Sequence, residues 1–203
     1  MIDVKTLRQL VIATGNRNKF VEFQKLLAPL GITLLMGKDL CPNLEVEETG
    51  ETFLENARLK AQAWCERTNL PALADDSGIE VAALGGRPGV RSARYAPTDA
   101  ECRAKLLGEL AGVADRSARF AAALVLCWPD GSEWSTLQYC DGSVTEQELG
   151  ERGFGYDSLF LPLGETKTFA QMTMEEKDAV SHRGKATRQL FLALGGKCDT
   201  IKS

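Results

Sequence analysis

The chain has no Cys-x-x-Cys pair and only one histidine, His182, among its 203 residues. That shortage excludes the usual Cys/His zinc site. No apolar run approaches the ~20 residues that a membrane helix needs. The opening segment Met1-Ile2-Asp3-Val4-Lys5 lacks the apolar core of a signal peptide. Charge of one sign is also missing: 24 Lys and Arg stand against 28 Asp and Glu, a net charge of −4. Such a balance gives no general attraction for nucleic acid or an anionic membrane, so a polyanionic ligand would need a local cluster of cations. Six cysteines, Cys41, Cys65, Cys102, Cys127, Cys140 and Cys198, are read as reduced thiols of a cytoplasmic protein.

What is present is an ordinary soluble composition, 44% hydrophobic and 26% charged, in one domain spanning residues 1–203. Leu10 to Ala13 reads as a buried strand, and Phe20, Phe23, Leu27 and Leu30 recur at helical spacing from Arg17 until Gly31. Ile32 to Met36 is a second strand. Three capping-box spacings, at Thr52, Thr98 and Thr173, open helices expected to reach about Arg67, Leu110 and Leu194. Pro71 to Ala74 is a short strand. Arg119–Trp128 and Trp134–Cys140 form a hairpin about Pro129-Asp130-Gly131, and Ser158 to Leu161 is a last strand. Alternating helices and strands predict a layered α/β domain.

The chemistry concentrates in a few stretches. Ala74-Asp75-Asp76-Ser77-Gly78 places two adjacent carboxylates at the end of a strand. These residue types favour a turn. A divalent cation would instead use the anionic oxygens, leaving a second carboxylate as base. Either Glu47 or Glu48 could join that site, or the two could form an exposed acidic loop. Thr14-Gly15-Asn16-Arg17-Asn18-Lys19 lies where a strand enters a helix, a place whose free N–H groups suit an anion. Phe154-Gly155-Tyr156-Asp157 offers a stacking face and a hydrogen-bond acceptor for a base or sugar, although core packing serves its aromatics equally well. Lys177, His182 and Arg183 add donors near Gly184, a residue that weakens a continuous helix.

Taken in order, Thr14-Gly15-Asn16-x-x-Lys19, Glu48-Thr49-Gly50, Ala74 to Gly78, Gly85-Gly86-x-Pro88-Gly89-x-x-Ser92-Ala93-Arg94-Tyr95, Phe154 to Asp157 and Ser181-His182-Arg183 closely resemble the inosine/xanthosine triphosphate pyrophosphatase family. The likeness runs from about Leu10 to Leu194. It implies an elongated two-lobed α/β domain, with a long mixed central sheet flanked by helices and an active-site cleft between the lobes. It also implies a homodimer that hydrolyses ITP, dITP or XTP to the monophosphate and pyrophosphate with Mg²⁺. By motif, Thr14, Gly15, Asn16, Arg17, Asn18 and Lys19 would hold the triphosphate. Glu48 and Asp76 would bind the metal, with Asp76 also the catalytic base. Ser77, Phe154, Gly155, Tyr156, Asp157, Lys177, His182 and Arg183 would hold the rest of the substrate. A pyrophosphatase for another modified nucleotide, or a nucleotide-binding module without catalysis, are the alternatives. The chain departs from the family pattern in having Arg152-Gly153 before Phe154, and Ser158 where a proline is common, which frees the backbone at Asp157.

Overall fold

The computed structural model describes residues 7–196, so Cys198 and the opening segment lie outside the described residues. Six strands form one sheet in the order β2-β1-β3-β4-β5-β6. They are β1 (Gln9–Ile12), β2 (Thr33–Met36), β3 (Ala72–Val81), β4 (Ser117–Cys127), β5 (Glu133–Val144) and β6 (Phe160–Pro162). The sheet is mixed: β1 runs parallel to β2 and β3, whereas β6 runs antiparallel to β5. The helices are α1 (Arg17–Leu27), α2 (Gly37–Leu40), α3 (Phe53–Thr68), α4 (Asp99–Glu109), α5 (Met174–Val180) and α6 (His182–Ala193). No helix among the described residues is long and apolar enough to cross a membrane.

The chain divides into two compact units. The first comprises the residues up to Asp76, Ala123–Leu137 and those from Ala186 onward; the second is Ser77–Ala122 with Gln138–Lys185.

In the first unit Leu10, Val11 and Ile12 of β1 are buried, as are Phe23 and Leu27 of α1 and Ala57, Ala61 and Trp64 of α3. Thr52 caps α3 by accepting from the Glu55 amide, and the Glu55 carboxylate accepts from the Thr52 and Glu51 amides. Gly50 presses against this helix start, donating its N–H to Asn56 Oδ1 at 2.8 Å. A Cβ on Gly50 would lie 2.6 Å from Glu55 Cβ, so only glycine lets the loop carrying Glu48 sit there.

The second unit is built on Ile79, Leu106, Leu110, Phe120, Val144, Tyr156, Leu159, Phe160, Phe169 and Met172. Phe120 packs edge-on against Phe160 with ring centroids 4.8 Å apart, and stacks on His182 at 4.6 Å.

Several boundaries differ from the sequence expectation. Asp75, Asp76, Ser77 and Gly78 do not form a turn; they lie within the ten-residue strand β3. Turn propensity yields there because both aspartates acquire cationic partners. The final helix is not continuous from Thr173. It breaks at Ser181, whose backbone is extended (φ −69°, ψ 156°), and restarts as α6. Gly184 then permits the two helices to touch, since a Cβ there would collide with the Asp178 carbonyl. The helix from Arg17 tightens into a 3-10 turn over Ala28–Leu30, closed by Gly31 at φ 66°. The last strand starts at Phe160, because the residues before it turn to close on Asp157.

Removing the α3 cap should be measurable. Thr52→Ala is expected to cost about 1 kcal/mol in urea unfolding, and a loss below about 0.3 kcal/mol would show the capping box to be unimportant.

Candidate functional site

β3 is where the acidic site begins. Its pairing with β1 ends at Leu73 opposite Ile12, so Asp75 and Asp76 continue past the end of β1. This is the carboxyl end of a parallel strand group, where α/β proteins commonly bind ligands. Successive strand side chains face opposite ways, and the two carboxylates therefore meet different cations. Asp75 Oδ2 lies 2.8 Å from Lys19 Nζ of α1, with the Asp75 side chain 1% exposed. Asp76 Oδ1 lies 2.8 Å from Lys60 Nζ of α3.

Lys60 also reaches Glu48 Oε1 at 2.7 Å and the Asp75 carbonyl at 3.0 Å. The structure thus gathers Lys19, Glu48, Lys60, Asp75 and Asp76 within the first unit, while Glu47 is exposed. Burial pushes the Asp76 carboxyl above the ordinary carboxylate value; Lys60 pulls against this and Glu48 adds to it. Burial works against the Lys60 charge, but Asp76 and Glu48 outweigh it and hold the ammonium above the usual lysine value. The buried Asp76 Oδ2 has no hydrogen-bond partner among the described residues.

Lys60 was not anticipated from the sequence, though a signal existed. It stands three residues after Ala57 and four before Trp64, on the buried side of α3. A lysine at an apolar-stripe position demands a partner. Asn56, fully buried and holding the Gly50 amide, is a second residue that motif reading passed over.

The Thr14–Lys19 turn differs from a bare anion cradle. Asn16 caps α1, and its Oδ1 accepts from the amides of Asn18 at 2.9 Å and Lys19 at 3.3 Å. The Asn16 amide donates to Thr14 Oγ1 at 3.0 Å. Those three N–H groups are satisfied internally, so a phosphate would meet side chains and would have to compete for these amides. Residues 15–18 are exposed, and Arg17 reaches toward Met36 Sδ at 3.8 Å.

A second cluster lies in the second unit. Asp157 Oδ2 accepts from Lys177 Nζ at 2.8 Å and from the Phe154 amide at 2.9 Å, and both charged side chains are under 10% exposed. The Lys177 ammonium sits 5.1 Å from the Phe154 ring centroid, with Arg183 Cζ 5.5 Å from the same ring. Arg183 Nη2 donates to Ser77 Oγ at 3.0 Å. Phe154, Asp157, Lys177, Arg183 and Ser77 therefore converge. Gly155 is fixed by Asp99 and Arg103, which take its amide and carbonyl. Tyr156 turns into the core, where its hydroxyl donates to the Ser92 carbonyl at 2.9 Å. His182 is buried, stacked on Phe120. The Ser158 hydroxyl donates to Glu148 Oε2 at 3.0 Å, and Arg103 holds that carboxylate at 2.7 Å.

A Lewis-acidic metal can be tested against the first cluster. Among the described residues no group of three or more His, Cys, Asp or Glu side chains is placed to hold a metal. Two carboxylates, Glu48 and Asp76, share one cation already, and Asp76 keeps an oxygen without a hydrogen bond. Such a pair suits magnesium, which takes one or two carboxylates and completes its shell with water and phosphate oxygens.

The Ham1 family model matches residues 10–193. The dITP/XTP pyrophosphatase of Synechocystis is 49% identical over 183 residues, covering 90% of this chain and 93% of that protein. Its counterpart in Thermus thermophilus is 50% identical over 189 residues and 91% of each chain. The solved structure of the Coxiella burnetii HAM1 protein superposes with a TM-score of 0.85 at 39% identity, covering 92% of this chain and 98% of that one. That of the Staphylococcus aureus Ham1 protein gives 0.84 at 37% identity, with the same coverage.

The buried pair of the second unit makes a stability prediction. Lys177→Met strands the Asp157 carboxylate and should cost about 3 kcal/mol, part of it recovered when Asp157→Asn is added. Equal stability of wild type and the single variant in chemical denaturation would refute that role.

Proposed function

The chain belongs to the Ham1 family, and from that premise we propose that it hydrolyses ITP, dITP and XTP to the monophosphate and pyrophosphate, clearing these non-standard purine nucleotides from the pool. The observation that carries this reading is the half-buried Glu48–Lys60–Asp76 cluster with Lys19–Asp75 beside it. It supplies two ammonium groups for phosphate oxygens and two carboxylates for a cation in one place. Glu48 and Asp76 would hold Mg²⁺. When bound, the ion would neutralise phosphate charge and acidify a water.

The residues of the chain do the rest. Asp76 accepts the proton of the water that attacks the α-phosphorus, a task helped by burial that raises its proton affinity. Lys19 and Lys60 offset charge growing on the pyrophosphate leaving group. Thr14, Gly15, Asn16, Arg17 and Asn18 border the phosphate chain.

In the second unit Phe154 offers a stacking face, and Lys177 and Arg183 present donors held in place by Asp157 and Ser77. Gly155 allows close approach, and Tyr156 and His182 brace these groups from the core. Donors facing a 6-oxo group would be left unpaired against the amino group of adenine. Residues 1–203 act as one domain in a cytoplasmic homodimer, with nucleotide as partner and neither nucleic acid nor membrane required.

A nucleotide panel scored for phosphate species tests the function. Pyrophosphate should appear from ITP, dITP and XTP, and chelation of divalent cations should abolish it. Orthophosphate as the first product would place the attack at the γ-phosphorus and overturn the mechanism. The kcat/KM for ITP should exceed that for ATP by up to ~10⁴-fold, as hydrogen-bonding sites allow. Asp76→Asn should lower kcat by about 10²-fold or more while circular dichroism stays native. Near-normal turnover would remove Asp76 from the role of base.

A further inference from the structure

An ammonium group has three protons and no more. In Lys60 the acceptors Glu48 Oε1, Asp76 Oδ1 and the Asp75 carbonyl, at 2.7, 2.8 and 3.0 Å, account for all three. The ammonium therefore stands between the two carboxylates that would bridge a metal. A divalent ion bound to the same two carboxylates would be repelled by an ammonium that lies within 3 Å of an oxygen of each.

We propose that Lys60 is a built-in competitor for the divalent cation, and that nucleotide phosphate relieves the competition by accepting the displaced ammonium. The inference rests on the reading of Glu48 and Asp76 as metal ligands given above.

The charges support it. Glu48, Asp75 and Asp76 carry three negative charges against the two positive charges of Lys19 and Lys60. The cluster is thus close to neutral without any ligand. A divalent ion entering alone weakens two short ion pairs of an ammonium whose side chain is only 14% exposed and leaves it the Asp75 carbonyl as its one undisturbed acceptor. A triphosphate entering with the ion restores those acceptors. Metal and nucleotide then strengthen each other, and by thermodynamic linkage each does so by the same factor. The enzyme is thereby kept from loading metal, and from assembling an activated water, before a substrate is present.

Lysine suits this exchange. Its point charge sits on a flexible four-carbon stem that can swing from carboxylate to phosphate. The rigid fork of arginine would grip two carboxylates more firmly.

The test is Mn²⁺ binding to the intact protein, read by electron paramagnetic resonance without turnover. In the absence of nucleotide, Lys60→Met should bind Mn²⁺ about tenfold more tightly than wild type, within the usual range of coupling between sites. Lys60→Arg, which keeps the charge and the fold, should bind it several-fold more weakly. Addition of α,β-methylene-ITP should tighten Mn²⁺ binding in wild type by a factor that shrinks in Lys60→Met.

Mn²⁺ affinities insensitive to both substitutions would overturn the competition while leaving the pyrophosphatase reading intact. An absence of Mn²⁺ binding in all three proteins, even with the analogue, would overturn the metal reading itself. The nucleotide panel would then judge the hydrolysis separately.

Discussion

Two adjacent carboxylates buried in the interior of a strand are the constraint on which the first unit depends. Neither could be ionised there alone, since an unpaired buried charge costs several kcal/mol. The chain answers with one ammonium from each of two helices, Lys19 of α1 for Asp75 and Lys60 of α3 for Asp76. The strand pleat makes this possible by sending the neighbouring side chains in opposite directions. Those salt bridges also fix where α1 and α3 stand relative to β3. The Asn16 cap, the Thr52 capping box and the Gly50–Asn56 contact then set the helix starts that bring the lysines and Glu48 into register.

The second unit solves a similar problem with a different device. Asp157 and Lys177 form a buried pair, closed by the Phe154 amide and overlaid by aromatic rings. The break at Ser181 lets α5 present Lys177 and α6 present Arg183 to one region. An unbroken helix would not, because positions 177 and 183 are about 600° apart at 3.6 residues per turn and so face different ways. Burying His182 against Phe120 anchors the restart. Packing and chemistry are thus served by the same short segment.

Much of this was legible beforehand. The Thr52 and Thr173 capping boxes form as their spacing predicts, because capping depends on residues within one turn. Gly31 closes its helix end for the same local reason. The motif residues were visible as motifs, and their order along the chain pointed to the family. For the Asp-Asp-Ser-Gly stretch local propensity favours a turn, and only pairing with neighbouring strands and lysines makes it extended. Lys60 escaped notice because a lysine in a helix reads as solvated until its neighbours are known to be buried.

By itself the sequence determined the starts of α1, α3, α4 and α5 and the chemical inventory, which rest on interactions a few residues apart. Tertiary structure decided the pairing of charges: Asp75 with Lys19, Asp76 and Glu48 with Lys60, and Asp157 with Lys177. Those partners lie 12 to 56 positions apart. Their meeting depends on sheet order and helix placement, which no local pattern encodes. The physical reason is that charge pairing in a buried site is set by three-dimensional proximity and loss of water, and both exist only once the chain has folded.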